Sequence, residues 1–303
     1  MSRTLVIAGG TGLLGQHLIE HLGSAFTDII VLSRGKIEDL GIYRTVQWDA
    51  VNQGPWVNEL KKATVLINLT GKSIQCRFTE ENKKLLTSSR VDSTRALGRA
   101  LKENETNVKL WLNASGSAIY PQSWDIAQDE GVEKVGQSFL SILSKSWEDA
   151  FYEEDLPLRR VAMRITPVLD REEGAFPPLR LIAKTGLGGP QGNGKQMMSW
   201  IHIDDFCRAV AFLIEKEDVR GPVNLSSPDA RSNASFMRAL RKAVGMPIGL
   251  PAPAFAIQIG SRFTGVDPSL ILDSRFLSPA LLIQEGFTFE KGTLELAFED
   301  LLK

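Results

Sequence analysis

The chain has 303 residues, enough for one large α/β domain or two smaller ones with a sizeable core. Lys and Arg total 35 against 36 Asp and Glu, and the net charge of -1 gives no electrostatic reason to expect a nucleic acid or a membrane surface as partner. At 43% apolar and 23% charged residues the composition is globular, which excludes a disordered or low-complexity chain.

Two distant cysteines, Cys76 and Cys207, make no disulfide framework. No run approaches the ~18–20 apolar residues of a membrane span. A cytoplasmic protein is expected. His17 and His21 are spaced to share a helix face, but no Glu, Asp or Cys completes a ligand set, so no metal is expected.

In chain order, β-rich apolar runs at Thr4–Ala8, 29–32, 65–69, 110–114 and 158–165 alternate with helix-period segments at 16–22, 89–101 and Phe139–Tyr152. Strands apolar on both faces and separated by helices predict an α/β fold, a doubly wound parallel sheet of Rossmann type. After Val168 the texture changes. Pro177-Pro178 and the glycines at 186, 188, 189, 192 and 194 read as loop, expected to move over a cleft. A helix at 204–216 and a short strand at 222–225 follow, then helices broken by Pro247, Pro251, Pro253, Pro268 and Pro279. Residues 1–168, completed by parts of 199–228, are expected to form a nucleotide domain. Residues 169–303 are expected to form a smaller, mostly helical substrate lobe with its own terminal region from about 248.

The first strand runs straight into Gly9-Gly10-Thr11-Gly12-Leu13-Leu14-Gly15, and a helix follows. Glycines at this spacing serve a tight turn, close approach of backbone to a pyrophosphate and close helix–strand packing. The helix N-terminus then presents free N–H groups to the phosphates. Past the second strand stands Ser33-Arg34, where an NAD-selective site would carry an acid. A guanidinium there can pair with a 2′-phosphate and stack on adenine, so NADP(H) is expected over NAD(H).

The glycine loop, Asn68-Leu69-Thr70-Gly71 and Ser115-Gly116-Ser117-Ala118-Ile119-Tyr120 together resemble the extended short-chain dehydrogenase/reductase superfamily. More narrowly the chain looks like the NAD-dependent epimerase/dehydratase family and its YfcH-like nucleotide-sugar epimerases. Ser89-Arg90-Val91 with Thr94, Ser199-Trp200-Ile201-His202-Ile203-Asp204-Asp205 and Glu285-Gly286-Phe287-Thr288-Phe289 support the resemblance. It implies that Gly9, Gly12, Leu13, Leu14 and Gly15 hold the pyrophosphate, Ser33 and Arg34 the 2′-phosphate, and Asp49 the adenine. Leu69, Thr70 and Gly71 would line the ribose side, with Thr166, Pro167 and Val168 near the nicotinamide. A homodimer through helices at the sheet edge is also implied.

The resemblance further implies a Tyr-x-x-x-Lys pair with an earlier Ser, the lysine lowering the phenol pKa from ~10 so that it exchanges a proton near neutral pH. Here Ser115 and Ser117 occupy the serine position and Lys145 the lysine, but Ser141 stands where Tyr belongs. Three readings stay open: Tyr120 supplies the hydroxyl, or Ser117, Ser141 and Lys145 relay a proton through water, or hydride chemistry is absent. Trp147 with Glu148 is either a packing pair or part of the site. Arg77, Arg90, Trp200 and His202 are candidates to face a substrate, with Asp204 capping the next helix. The expected function is an NADP-binding oxidoreductase or epimerase acting on a small polar substrate, a nucleotide sugar among the candidates. The alternative is an NADPH-binding regulatory protein.

Overall fold

A computed structural model describes residues 3–35 and 41–303. The first half alternates strand and helix: β1 (Thr4–Ala8), α1 (Leu13–Leu22), β2 (Asp28–Ser33), β3 (Arg44–Gln47), α2 (Val57–Leu60), β4 (Val65–Asn68), α3 (Glu80–Glu103), β5 (Leu110–Gly116), α4 (Phe139–Tyr152) and β6 (Arg159–Ile165). Then come β7 (Val168–Leu169), α5 (Phe176–Lys184), β8 (Met197–Met198), β9 (Ile201–His202), α6 (Ile203–Glu215), β10 (Gly221–Leu225) and β11 (Arg231–Ser232). Helices α7 (Asn233–Ala243), α8 (Ala254–Thr264), α9 (Ser269–Leu272), α10 (Ala280–Gln284) and α11 (Leu294–Leu301) complete the chain.

Seven strands form one parallel sheet in the order β10-β6-β5-β4-β1-β2-β3. This is the doubly wound Rossmann architecture expected from the alternation of strand and helix. Alternate residues of each strand serve opposite faces. Leu5, Ile7, Val31, Ile67 and Leu112 pack against α1 and α6 through Leu18, Ile19, Phe206, Val210 and Leu213. Val6, Ala8, Ile30, Leu32, Leu66 and Trp111 pack against α3 and α4 through Leu97, Ala100 and Phe151. The chain reverses direction across the sheet between β1 and β4, which pair directly, with Val6 opposite Leu66. That reversal opens the crevice in which such folds bind ligands.

Helix α3 begins at Glu80, a full two turns before the periodicity suggests. Thr79 caps it, its side chain accepting from the Asn82 N–H, and Glu80 and Glu81 sit in the first turn where the helix dipole favours acids. Edge strand β3 escapes the apolar-run criterion because only Thr45 of its four residues is buried.

Beyond β6, a further core gathers Phe176, Trp200, Phe236, Leu240, Leu294 and Phe298 from α5, α7 and α11. The prolines that were expected to break helices also start them: Pro253, Pro268 and Pro279 are the N-caps of α8, α9 and α10. The glycine-rich segment is tied down rather than loose. Gly189 and Gly192 donate to the Leu250 and Ala252 carbonyls, and Leu250 and Ala252 donate back to Gly186 and Pro190. A Cβ on Gly189 would meet the Leu250 backbone at 2.4 Å, so glycine is needed for two chains to lie this close. No helix among the described residues is long and apolar enough to cross a membrane.

Arg159, first residue of β6, locks the sheet to the end of α6. Its guanidinium donates to the carbonyls of Leu213, Ile214, Lys216 and Val219 at 2.9–3.0 Å, satisfying groups a helix C-terminus leaves unpaired. Replacing Arg159 by Met is expected to lower unfolding stability by ~1–3 kcal/mol in a urea titration, since several charge-assisted bonds go at once.

Candidate active site: a dinucleotide cleft with a hydroxyl-bearing turn

The loop after β1 is built by contacts only glycine permits. Gly9 adopts a left-handed φ of 78°. A Cβ on Gly15 would stand 2.4 Å from the Gly10 Cα, so α1 closes on its own loop only without one. Gly12 is the N-cap of α1 and offers no side-chain cap, which leaves the first-turn N–H groups free to face a ligand. A Cβ on Gly9 would come within 3.0 Å of Leu69 C and Thr70 N, so the loops after β1 and β4 form adjoining walls. Leu13 and Leu14 follow in the first turn of α1, half-buried.

At the end of β2 the Ser33 hydroxyl accepts from the Gly35 N–H at 3.1 Å. Arg34 is exposed and makes no hydrogen bond or ion pair among the described residues. Asp49 folds its carboxylate onto its own turn, accepting from Asn52 N at 2.7 Å, Asn52 Nδ2 at 2.8 Å and Val51 N at 2.8 Å. These bonds, the Asn52 N–H foremost, hold its pKa below the ordinary carboxylate value. In Leu69-Thr70-Gly71 the Thr70 Oγ1 is buried without a hydrogen-bond partner among the described residues. Pro167 is exposed, and Val168 is buried beside it.

The serine strand ends in a single 3-10 turn, Ser117–Ile119. Ser115 Oγ donates to Glu148 Oε1 at 2.6 Å. Glu148 in turn takes two bonds from Arg164, Nε to Oε1 and Nη2 to Oε2, both 2.9 Å. Arg164 Nη1 donates to Tyr120 Oη at 2.7 Å, and Tyr120 donates onward to Asn224 Oδ1 at 2.9 Å. The Tyr120 hydroxyl is thus occupied on both sides, and burial raises its pKa although Arg164 opposes the shift. Ser117 is different: its hydroxyl has no partner among the described residues.

The remaining expected relay does not assemble. Ser141 is buried, its hydroxyl 2.8 Å from that of Ser138, the N-cap of α4. A Cβ on Gly136 would lie 2.4 Å from Ser141 Oγ, so the preceding loop covers it. Lys145 shares the outward stripe of α4 with Ile142 and Asp149 and is ion-paired with Asp149. Trp147 and Glu148 face inward, Trp147 Nε1 donating to Thr94 Oγ1 at 2.9 Å.

Of the substrate candidates, Arg77 is exposed. Trp200 is wholly buried in the core of α5, α7 and α11, its indole N–H on the Asp229 carbonyl at 2.8 Å, so it faces packing and not a ligand. His202, not Asp204, caps α6: its Nδ1 accepts from the Asp204 N–H at 3.1 Å. His202, Asp204 and Asp300 approach closely enough to suggest a metal cluster. However, an Nδ1 that accepts a proton donor leaves the ring hydrogen on Nε2, which faces Asp300 Oδ2 at 3.5 Å and cannot ligate.

The NAD dependent epimerase/dehydratase family matches residues 5–138. "Epimerase family protein SA0724" of Staphylococcus aureus (strain N315) is 32% identical over 301 residues, 98% of each chain. "Epimerase family protein YfhF" of Bacillus subtilis (strain 168) is 32% identical over 300 residues, 98% of this chain and 97% of that one. Among solved structures, human epimerase family protein SDR39U1 with NADPH shares 27% identity and a TM-score of 0.84, covering 98% of both chains.

The chain belongs to the NAD dependent epimerase/dehydratase family. It is an NAD(P)-binding short-chain dehydrogenase/reductase by fold and by sequence. Against that family's pattern, Arg164, Asn224 and Glu130 are the residues that sequence reasoning passed over, while Glu148, left open between packing and the site, pairs with Arg164. Glu130 accepts from the backbone N–H of Asn224 and Leu281, and burial raises its pKa. One signal for the ion pair was available: Arg164 interrupts the apolar run Val161-Ala162-Met163, where a charge must be paired.

His202 sets a pH dependence. Burial lowers its pKa below 6.5, while Asp204, Asp300 and Asp205 oppose the shift and Lys291 adds to it. The folded state therefore binds this proton less readily than the unfolded chain. Stability is present above the unfolded pKa and is lost as pH falls through the folded one. The melting temperature should fall between about pH 7 and pH 5, and His202→Asn, which keeps an acceptor for the Asp204 N–H, should show a shallower slope.

Proposed function

We propose that this chain binds NADP(H) in preference to NAD(H) and acts as an oxidoreductase or epimerase on a small polar substrate, with a nucleotide sugar the favoured class. The observation that carries the preference is Arg34, exposed just past the end of β2 and without a partner among the described residues, where an NAD-selective site would carry an acid in its place. A relative of the same fold, human SDR39U1, is described with NADPH. The chain's residues fit the dinucleotide. Gly9, Gly12 and Gly15 let the pyrophosphate meet the free N–H groups of α1, Ser33 and Arg34 take the adenosine end, and Leu69, Thr70 and Gly71 wall the ribose side.

When bound, the nicotinamide would supply the hydride acceptor or donor. Ser117, buried and with a hydroxyl that has no partner among the described residues, would hold the substrate oxygen. The proton does not travel through a Tyr–Lys pair, because Ser141 is covered and Lys145 points outward. That same arrangement favours a second reading, an NADPH-binding regulatory protein with little hydride transfer. The two free thiols suit a reducing compartment, and cytoplasmic residence is part of the proposal.

Calorimetric titration of cofactor-stripped protein with NADPH and NADH is the test. Wild type should bind NADPH about tenfold or more tightly, and Arg34→Ala should lose about that factor for NADPH while NADH affinity stays put. Equal affinities in wild type would overturn the preference. Turnover of a nucleotide-sugar or carbonyl panel by wild type, abolished in Ser117→Ala, would separate the enzyme from the regulator.

A further inference from the structure

Arg90, on α3, is 8% exposed, yet no carboxylate among the described residues pairs with it. Its Cζ lies 5.0 Å over the Trp147 ring centre. One N–H donates to the Leu86 carbonyl at 3.1 Å. Among the described residues no carboxylate pairs with it, and its other N–H groups find no protein acceptor. Burial lowers its pKa to about 10, and the one titratable group close enough to act on it is the Cys76 thiol.

The contrast with Arg164 is sharp, because that guanidinium is equally buried and has both a carboxylate and a phenol. A cation so placed costs the free protein stability, and an arriving anion would recover it. Two further features sit beside it. A Cβ on Gly71 would stand 3.0 Å from the Arg90 Cζ, so the guanidinium reaches the loop after β4 only because glycine is there. The Thr70 hydroxyl, one residue earlier in that loop, is also buried and unpartnered. This loop abuts the phosphate loop, since a Cβ on Gly9 would touch Thr70 N at 3.0 Å.

We propose that Arg90, together with the Thr70 hydroxyl, binds a phosphate group delivered into the cleft, and so is the cation of this site that Lys145 is not. The inference rests on reading the cleft as a nucleotide site, and the phosphate belongs either to the dinucleotide or to a nucleotide-linked substrate. A guanidinium offers a phosphate paired N–H donors, and stacking on Trp147 holds its plane.

The test uses Arg90→Met, which fills the same space without charge, and Gly71→Ala, which pushes the guanidinium away and leaves Arg90 itself intact. NADPH affinity is measured by calorimetry, UDP affinity at saturating NADPH, and melting temperature without ligand. The expected result is an unchanged or raised melting temperature in Arg90→Met, with about tenfold or greater weakening of one ligand in both variants. Loss for NADPH assigns the phosphate to the dinucleotide, and loss for UDP alone assigns it to the substrate. If both affinities stay within about twofold of wild type, the proposal is overturned. If wild type binds neither NADPH nor NADH, the nucleotide reading fails by itself. Inorganic pyrophosphate then decides for Arg90: binding lost in Arg90→Met retains the anion site, and binding absent or unchanged overturns it.

Discussion

The ion pair between Glu148 and Arg164 organises the floor of the cleft. It joins α4 to β6 by two parallel bonds of 2.9 Å. The same carboxylate oxygen takes the Ser115 hydroxyl from β5, and the third arm of the guanidinium takes Tyr120. Tyr120 hands the chain to Asn224 of β10, whose amide reaches the Gln128 and Ser278 carbonyls. Such a pair is weak evidence for stability, because desolvation offsets much of the attraction. Its effect here is geometric. The short turn carrying Ser117 is fixed before it by Ser115 and after it by Tyr120, which leaves one hydroxyl free at a defined place.

The sheet was legible in the sequence because its strands are buried on both faces and so read as unbroken apolar runs. Leu5, Val6, Ile7 and Ala8 have no exposure at all, and half point to each layer of helices. The phosphate loop was legible for a different reason: Gly15 against Gly10 is a backbone contact that no other residue allows. The region after β6 was less readable. Its strands β7, β8, β9 and β11 are two residues each, too short for any period to show, and they are placed by partners far along the chain. The glycines at 186–194 looked like a loose loop because sequence does not reveal that Leu250 and Ala252 lie against them.

Side chains marked for chemistry on sequence alone divide by whether the fold already satisfies them. Tyr120, Trp200 and Ser141 have their polar atoms engaged by protein, and Lys145 is paired on the solvent side. His202 is only half satisfied: capping α6 commits Nδ1, while Nε2 is buried without a hydrogen bond, 3.5 Å from Asp300 Oδ2. A residue type and a spacing cannot distinguish a hydroxyl that is taken from one that is free. The difference arises from long-range partners such as Asn224, 104 positions from Tyr120.

Some of the groups left without partners among the described residues lie along one path, while Trp111 Nε1, Gln128 Oε1, His202 Nε2 and Arg241 Nε are also buried and unpaired. Arg34 stands at the end of β2, the uncapped α1 N-terminus after β1, Thr70 Oγ1 and Arg90 at the loop after β4, and Ser117 at the end of β5. These are the carboxyl ends of four neighbouring strands in the order β2, β1, β4, β5, the line an extended dinucleotide follows across such a sheet. Of these groups, Thr70 Oγ1 is a fully buried polar atom left unpaired, which costs ~1–3 kcal/mol. On the proposed reading a dinucleotide would complete the groups on this path, with the adenosine end at Arg34 and the reacting end at Ser117. Lys145, at the family's lysine position, falls outside this line and Arg90 falls beside it, which is why the proposed anion site is placed on α3 and not on α4.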